Sequence, residues 1–286
     1  MAEYKLKQKT KDYILDNYIG AGTSRVSGKN SYVLPYSLPK PTPVKVWTSN
    51  PAINGGIDYP NGIRTNAELA EALFGWYDKY GGLYKVDPNI LMAQAMAESG
   101  LKLWNYAPTS TANGISQFTI ITVYDYIITN RVKQFSDAER QAITKDIPDY
   151  TFASTGTQPK TPFYVKYDGG QINRQQMHQN VIDNPEILIK AQFIYMGRMA
   201  DRCDGIASVA LFAYNRGAKY LKGSSYALAV AAASKEPPDS RGNLYQTEGI
   251  NYVHKIFKRL YDDFGYSELN MNESTATFEE KRAFLG

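Results

Sequence analysis

Residues 90–100 read ILMAQAMAESG, an almost unbroken apolar run that ends in a glutamate. Burying a carboxylate costs several kcal/mol unless it is paired or protonated. Read as a helix, the run leaves Gln94 and Glu98 on one face, one turn apart. The remaining faces are apolar all round, which predicts a central core helix. Gly100 then ends it, and Glu98 falls in the last turn. Apolar surroundings disfavour the ionised form, and so does the partial negative charge of a helix C-terminus. Both raise the pKa of Glu98. A carboxyl that keeps its proton near neutral pH can act as a general acid, worth about 10²–10⁴ in rate, and a glycosidic oxygen needs such a proton before it can leave.

Other residue types offer less. Cys203 is the sole cysteine, so an intrachain disulfide and a cysteine-based zinc site are excluded. A cysteine peptidase pairing it with His178 or His254, the only two histidines, is set aside, because its context, ADRCDG, is not that of a nucleophile and it reads as a structural thiol. The residues therefore call for no metal and no cofactor. The Gly-rich GAGTSRVSG at 20–28 lacks the strand and the lysine of a phosphate loop.

The elements that must hold Glu98 follow from local signals. Asp87 is a predicted N-cap with Pro88 at the first helical position. Thr65 and Glu68 form a capping-box pattern before a helix, with Leu69, Leu73, Trp76, Tyr77 and Tyr80 at helical spacing, that Gly81-Gly82 should stop. Asn184-Pro185 opens another helix. Two short apolar helices follow in IASVALFAYNRG and YALAVAAASK. A last helix places Tyr252, Val253, Ile256, Phe257, Leu260 and Tyr261 on one side. FYVKYDGGQI at 163–172 is a candidate hairpin. The fold class predicted is mainly α over residues 65–265, with a polar, loop-rich insertion at about 131–180. Residues 1–64, with a short helix at 9–18 and prolines at 35, 39, 41 and 43, read as an extended arm or linker. Residues 266–286 read as a polar tail.

Composition bounds the partners. At 286 residues the chain can bury a sizeable core, and a net charge of +4 suits a polyanion such as a cell wall without demanding one. No Lys/Arg block marks a nucleic-acid arm. No stretch approaches the ~18 apolar residues of a membrane span. The N-terminal MAEYKLKQKTKDYILDNY is charged and lacks an apolar core, so it does not read as a secretory signal. Synthesis in a cytosol and delivery by other means is the expectation.

Four stretches in order carry a resemblance: ESG at 98–100, GISQF at 114–118, AYNRG at 213–217 and EGINYV at 248–253. Together they resemble the signature of the soluble lytic transglycosylase family, within the lysozyme-like superfamily of peptidoglycan-cleaving enzymes. Gln117 follows Glu98 by 19 residues. The resemblance spans roughly residues 70–264 and implies an α+β lysozyme-like fold. By position, Glu98 matches the family's single catalytic acid/base and Gln117 the glutamine facing the cleft. Tyr214 and Asn215 match the pair beside the acid, and Tyr252 the late-helix tyrosine near it. Ser116 falls among the substrate-binding positions, where many members carry Met; Ser99 and Glu248 match supporting positions. The implied reaction cleaves the β-1,4 bond between N-acetylmuramic acid and N-acetylglucosamine and leaves 1,6-anhydromuramic ends.

The stretch between Gln117 and Asn184 is longer than the family usually allows. An acid from it (Asp125, Asp137, Asp146, Asp149 or Asp168) reaching the site would turn the product into that of a lysozyme-type muramidase. A wall-binding protein without turnover is the further alternative. Lacking a signal, such a protein fits a bacteriophage: a lysis enzyme made in the host cytoplasm and acting on the wall or periplasm, or a virion-carried one tethered to other virion proteins through its N-terminal arm.

Overall fold

The computed structural model describes residues 4–19, 66–101, 103, 106–107, 112–146, 177, 180–221, 224–233 and 244–267. These residues are mostly helical, as the periodicities predict. The elements are α1 (Gln8–Ile14), α2 (Asn66–Tyr84), α3 (Pro88–Ser99), β1 (Tyr106–Ala107), β2 (Ala112–Asn113), α4 (Ile120–Val123), α5 (Asp137–Thr144), α6 (Pro185–Arg202), α7 (Ala207–Arg216), α8 (Ser224–Ala231) and α9 (Leu244–Asp262). The chain divides into two compact units, one of residues 1–20, 70–100 and 192–286, the other of 21–69 and 101–191.

In the first unit α3 lies at the centre. Asp87 caps it by accepting from the Asn89 N–H at 2.8 Å, with Pro88 at the first helical position. Gly100, at φ 63°, returns its N–H to the Met96 carbonyl and ends the helix. Every residue from Pro88 to Met96 is buried, including Gln94. Helix α9 packs on α3 and on α7, and α8 packs on α7 and α9. Ile250, Val253, Ile256, Phe257 and Leu260 form the buried face of α9, and Phe264 is buried in the turn after it. The approach of α9 to α7 requires Gly249. A Cβ there would lie 2.5 Å from the Phe212 ring and 2.8 Å from Arg216 Cγ. On the α2 side, Tyr77 meets Phe193 edge to face at 5.5 Å.

Residues 4–19, inside the segment read as an arm, pack on this same unit. They form α1 and a π-helical turn, Leu15–Ile19. The buried Asn89 side chain accepts from the Lys7 N–H at 2.9 Å and the Thr10 hydroxyl at 2.8 Å, and donates to the Lys5 carbonyl at 3.0 Å. Asp78 takes the Leu6 N–H and pairs with Lys11 at 3.0 Å. Tyr266 donates to Asp87 at 2.7 Å, so the first residue of the predicted tail belongs to the unit as well.

The predicted stop at Gly81-Gly82 is a correction: α2 runs through both glycines to Tyr84. Gly81 serves a different need. A side chain there would sit 3.0 Å from the Tyr4 carbonyl oxygen and 3.1 Å from the Pro88 ring.

The second unit holds a two-stranded antiparallel hairpin, Tyr106 opposite Asn113 and Ala107 opposite Ala112. Neither strand shows the alternation that would mark it in sequence. Helix α4 continues as a π-helical turn, Tyr124–Ile128. Within the predicted insertion, α5 opens on a reciprocal capping box between Ser136 and Glu139. Glu139 also pairs with Lys190 at 2.8 Å, and the Asn180 amide donates to the Ile143 and Lys145 carbonyls. The candidate hairpin at 163–172, Thr65 and most of the predicted arm lie outside the described residues.

Candidate active site

The end of α3 presents Glu98 toward α9. Tyr252, on α9, donates its hydroxyl to Glu98 Oε1 at 2.6 Å. Gln94, one turn before Glu98, donates its amide to the Tyr252 oxygen at 2.9 Å. The shared face of Gln94 and Glu98 is thus joined through one phenol. Lys255, a turn further along α9, donates to the Ala97 carbonyl at 3.1 Å. It meets one of the carbonyls that a helix C-terminus leaves without an intrahelical donor.

Glu98 keeps part of its surface open, yet protein surrounds its carboxyl closely enough to push its pKa from 4.5 up to about 7. Desolvation is the largest cause. The Tyr252 hydrogen bond and the Lys255 charge pull it back down, and the Glu248 charge adds a small rise. Burial therefore sets the direction, while Lys255 opposes the helix-end field that the sequence also pointed to. With a pKa near neutrality both protonation states are accessible, which an acid that must later act as a base requires.

Tyr252 and Tyr214 are both held far above the usual phenol range, first by burial and then by the Glu98 charge. Both phenols are therefore neutral at neutral pH. Tyr214 lies on α7 and sets its ring edge-on to Tyr195 at 5.0 Å. Its neighbour Asn215 has a buried Oδ1 with no hydrogen-bond partner among the described residues. Glu248 is mostly exposed and forms an ion pair with Arg216 of α7. Ser99 is buried and donates its hydroxyl back to the Ala95 carbonyl at 3.0 Å.

The structure thus brings Tyr252 and Glu248 of α9 and Tyr214 of α7 to bear on Glu98 at the end of α3, all within one unit, with Asn215 next to Tyr214 in the chain. Ser116 and Gln117 belong to the other unit, in the turn after β2. Ser116 is fully buried. Gln117 adopts a left-handed backbone, φ 49°, and its amide donates to the Gly114 carbonyl at 2.8 Å. Such a conformation costs a non-glycine residue about 1 kcal/mol or more. Gly114, three residues earlier and at φ 69°, is required twice over: a Cβ would lie 2.4 Å from Leu188 Cδ2. Of the acids of the insertion, Asp125 is buried and 3.6 Å from Arg131, Asp137 pairs with Arg140, and Asp146 is exposed. Asp149 and Asp168 lie outside the described residues.

Cys203 is buried, and burial followed by the Asp204 charge pushes its thiol up to about 11. A thiol so rarely ionised is a poor nucleophile. Among the described residues no group of three His, Cys, Asp or Glu is arranged to hold a metal ion, and no helix is long and apolar enough to cross a membrane.

Sequence reasoning missed Gln192, Tyr77, Arg216 and Lys255. Gln192 offered a signal, as the one uncharged amide in the apolar stretch ILIKAQFIYM. Tyr77 read as ordinary core. Comparison with family models, curated proteins and solved structures found no match for this chain.

Proposed function

We propose that this protein is a peptidoglycan lytic transglycosylase in which Glu98 is the single acid/base. The observation that carries the reading is the Glu98 carboxyl itself: at the end of a buried helix, bonded to Tyr252, with its pKa raised to about 7. In the proposed reaction Glu98 gives its proton to the glycosidic oxygen, and the bond from that oxygen to C1 of N-acetylmuramic acid breaks. The substrate's own N-acetyl group steadies the cationic centre. The Glu98 carboxylate then takes the proton of the 6-hydroxyl as that oxygen bonds to C1, which closes the anhydro ring and restores the acid. Protons balance, and no water enters the product.

The surroundings suit this scheme. The neutral Tyr214 hydroxyl can donate to a sugar or its N-acetyl group, while the single Tyr252 proton is held by Glu98. Asn215 Oδ1, which has no partner among the described residues, offers an acceptor to an amide N–H. Among the described residues the carboxylate acting electrostatically on Glu98 is Glu248, engaged by Arg216. That favours a mechanism in which one carboxyl acts twice over one that needs a flanking pair. A virion-carried or lysis enzyme of a bacteriophage is the setting proposed, and mass spectrometry of purified particles distinguishes the two.

Purified protein should clear cell-wall sacculi, and Glu98→Gln should abolish clearance while keeping the wild-type circular dichroism. Tight binding of sacculi without clearance by the wild type would replace the reading with that of a wall-binding protein. Clearance by Glu98→Gln at the wild-type rate would remove Glu98 from the mechanism.

A further inference from the structure

Behind the pair of Glu98 and Tyr252 a line of buried hydrogen bonds runs across the unit. The Tyr77 hydroxyl donates to Gln192 Oε1 at 2.9 Å. Gln192 Nε2 donates both to the Leu91 carbonyl at 3.1 Å and to Gln94 Oε1 at 2.9 Å. Gln94 Nε2 donates to the Tyr252 oxygen, and Tyr252 donates to Glu98. Gln94 and Gln192 are both fully buried, from α3 and α6, and Tyr77 comes from α2. Apart from the bond to the Leu91 carbonyl, each donor passes its hydrogen one step along the line toward the carboxyl.

The direction of this line follows from a single atom. A backbone carbonyl can only accept, so the Gln192 amide must turn its nitrogen to Leu91 O. Its second N–H then meets Gln94, which must present oxygen there and nitrogen to Tyr252. With its oxygen accepting from Gln94, the Tyr252 hydroxyl has its proton free for Glu98. A Gln94 amide turned the other way would take that proton itself, and Glu98 would hydrogen-bond well only in its neutral form.

We propose that Gln192 and Gln94 are positioning residues: anchored by the Leu91 carbonyl, they hold Tyr252 as a donor to Glu98 and so oppose retention of the Glu98 proton. The catalytic meaning of this rests on the function proposed above; the proton equilibrium does not. Burial alone would leave the acid too reluctant to become a base, and the polarised line offsets part of that burial. The other groups that bear on Glu98 are Lys255 and Glu248 from α9 and Tyr214 from α7, and the variants below leave all three in place.

The test titrates Glu98 by carboxyl carbon NMR without substrate, assigning its signal by its loss in Glu98→Gln. Gln192→Met frees Gln94 to turn and should raise the Glu98 pKa by about one unit, tenfold in proton affinity. Gln94→Met on top of Gln192→Met removes the competing acceptor and should bring the value back to within about 0.3 of wild type. Tyr77→Phe leaves the Leu91 anchor intact and should change nothing. An unmoved Glu98 in folded Gln192→Met overturns the proposal, as does a double variant that stays shifted or a Tyr77→Phe shift as large as that of Gln192→Met. Should Gln192→Met not fold, the wild type decides. Its Gln94 amide protons should be protected from exchange and should shift with the Glu98 midpoint; freely exchanging or insensitive signals overturn the inference. Expected shifts in a protein that leaves sacculi intact would keep the relay and remove the function. Cleavage with unmoved titration would remove the relay alone.

Discussion

Replacing Glu98 by Gln should make the protein more stable, and only above acidic pH. A carboxyl whose pKa rises from 4.5 to about 7 on folding holds its proton in the folded state over a range where the unfolded chain has released it. Stability therefore falls as pH rises through that window, and the penalty is complete above about pH 7. At about 1.4 kcal/mol per pKa unit the cost is about 3.5 kcal/mol before screening. Because Glu98 keeps some surface open, screening trims this to about 2–3 kcal/mol. Glutamine has the same shape and can still accept from Tyr252, but it cannot ionise. Urea unfolding of both proteins between about pH 4 and pH 9 is the assay. The curves should coincide near pH 4, where both side chains are neutral, and diverge by about 2–3 kcal/mol in favour of Gln by about pH 8. Parallel stability profiles would refute the reasoning, because they would mean that Glu98 ionises in the folded protein as it does in the unfolded one.

Three packing predictions follow from the same structure. Gly249→Ala sets a methyl into the Phe212 ring and the Arg216 side chain and should cost about 1–3 kcal/mol by overpacking, read as a lower urea midpoint. Asn89→Ala removes a buried side chain that ties residues 5–10 to α3, and should cost about 2–4 kcal/mol while raising the proteolytic sensitivity of residues 4–19. Ser136→Ala breaks the capping box of α5 and should cost about 1 kcal/mol. In that last case hydrogen exchange should quicken first at Glu139, whose N–H the Ser136 hydroxyl accepts.

What could be read from the sequence was what is decided within one helix. Asp87, Pro88 and Gly100 fix the two ends of α3 by local geometry, and the unbroken apolar run fixes its burial. From those alone came a glutamate held near neutral pH. What escaped was decided between segments. Gly81 resembles a helix stop until Tyr4 is known to press against it. Gln192 and Tyr77 stand 115 residues apart in sequence, and nothing local pairs them. Lys255 looks like any surface lysine of an amphipathic helix, yet it reaches the last turn of α3 and opposes the field that was expected there. The hairpin at 106–113 has strands of two residues each, too short for any alternation to show.

The central claim is that a single carboxyl, Glu98, acts as acid and then as base on a glycan strand. Mass spectrometry of the fragments released from purified sacculi tests it most directly. The account predicts muropeptides that end in 1,6-anhydromuramic acid, formed by the wild type and absent with Glu98→Gln. Fragments with ordinary reducing ends, one water heavier, would contradict it, since water rather than the 6-hydroxyl would then have attacked.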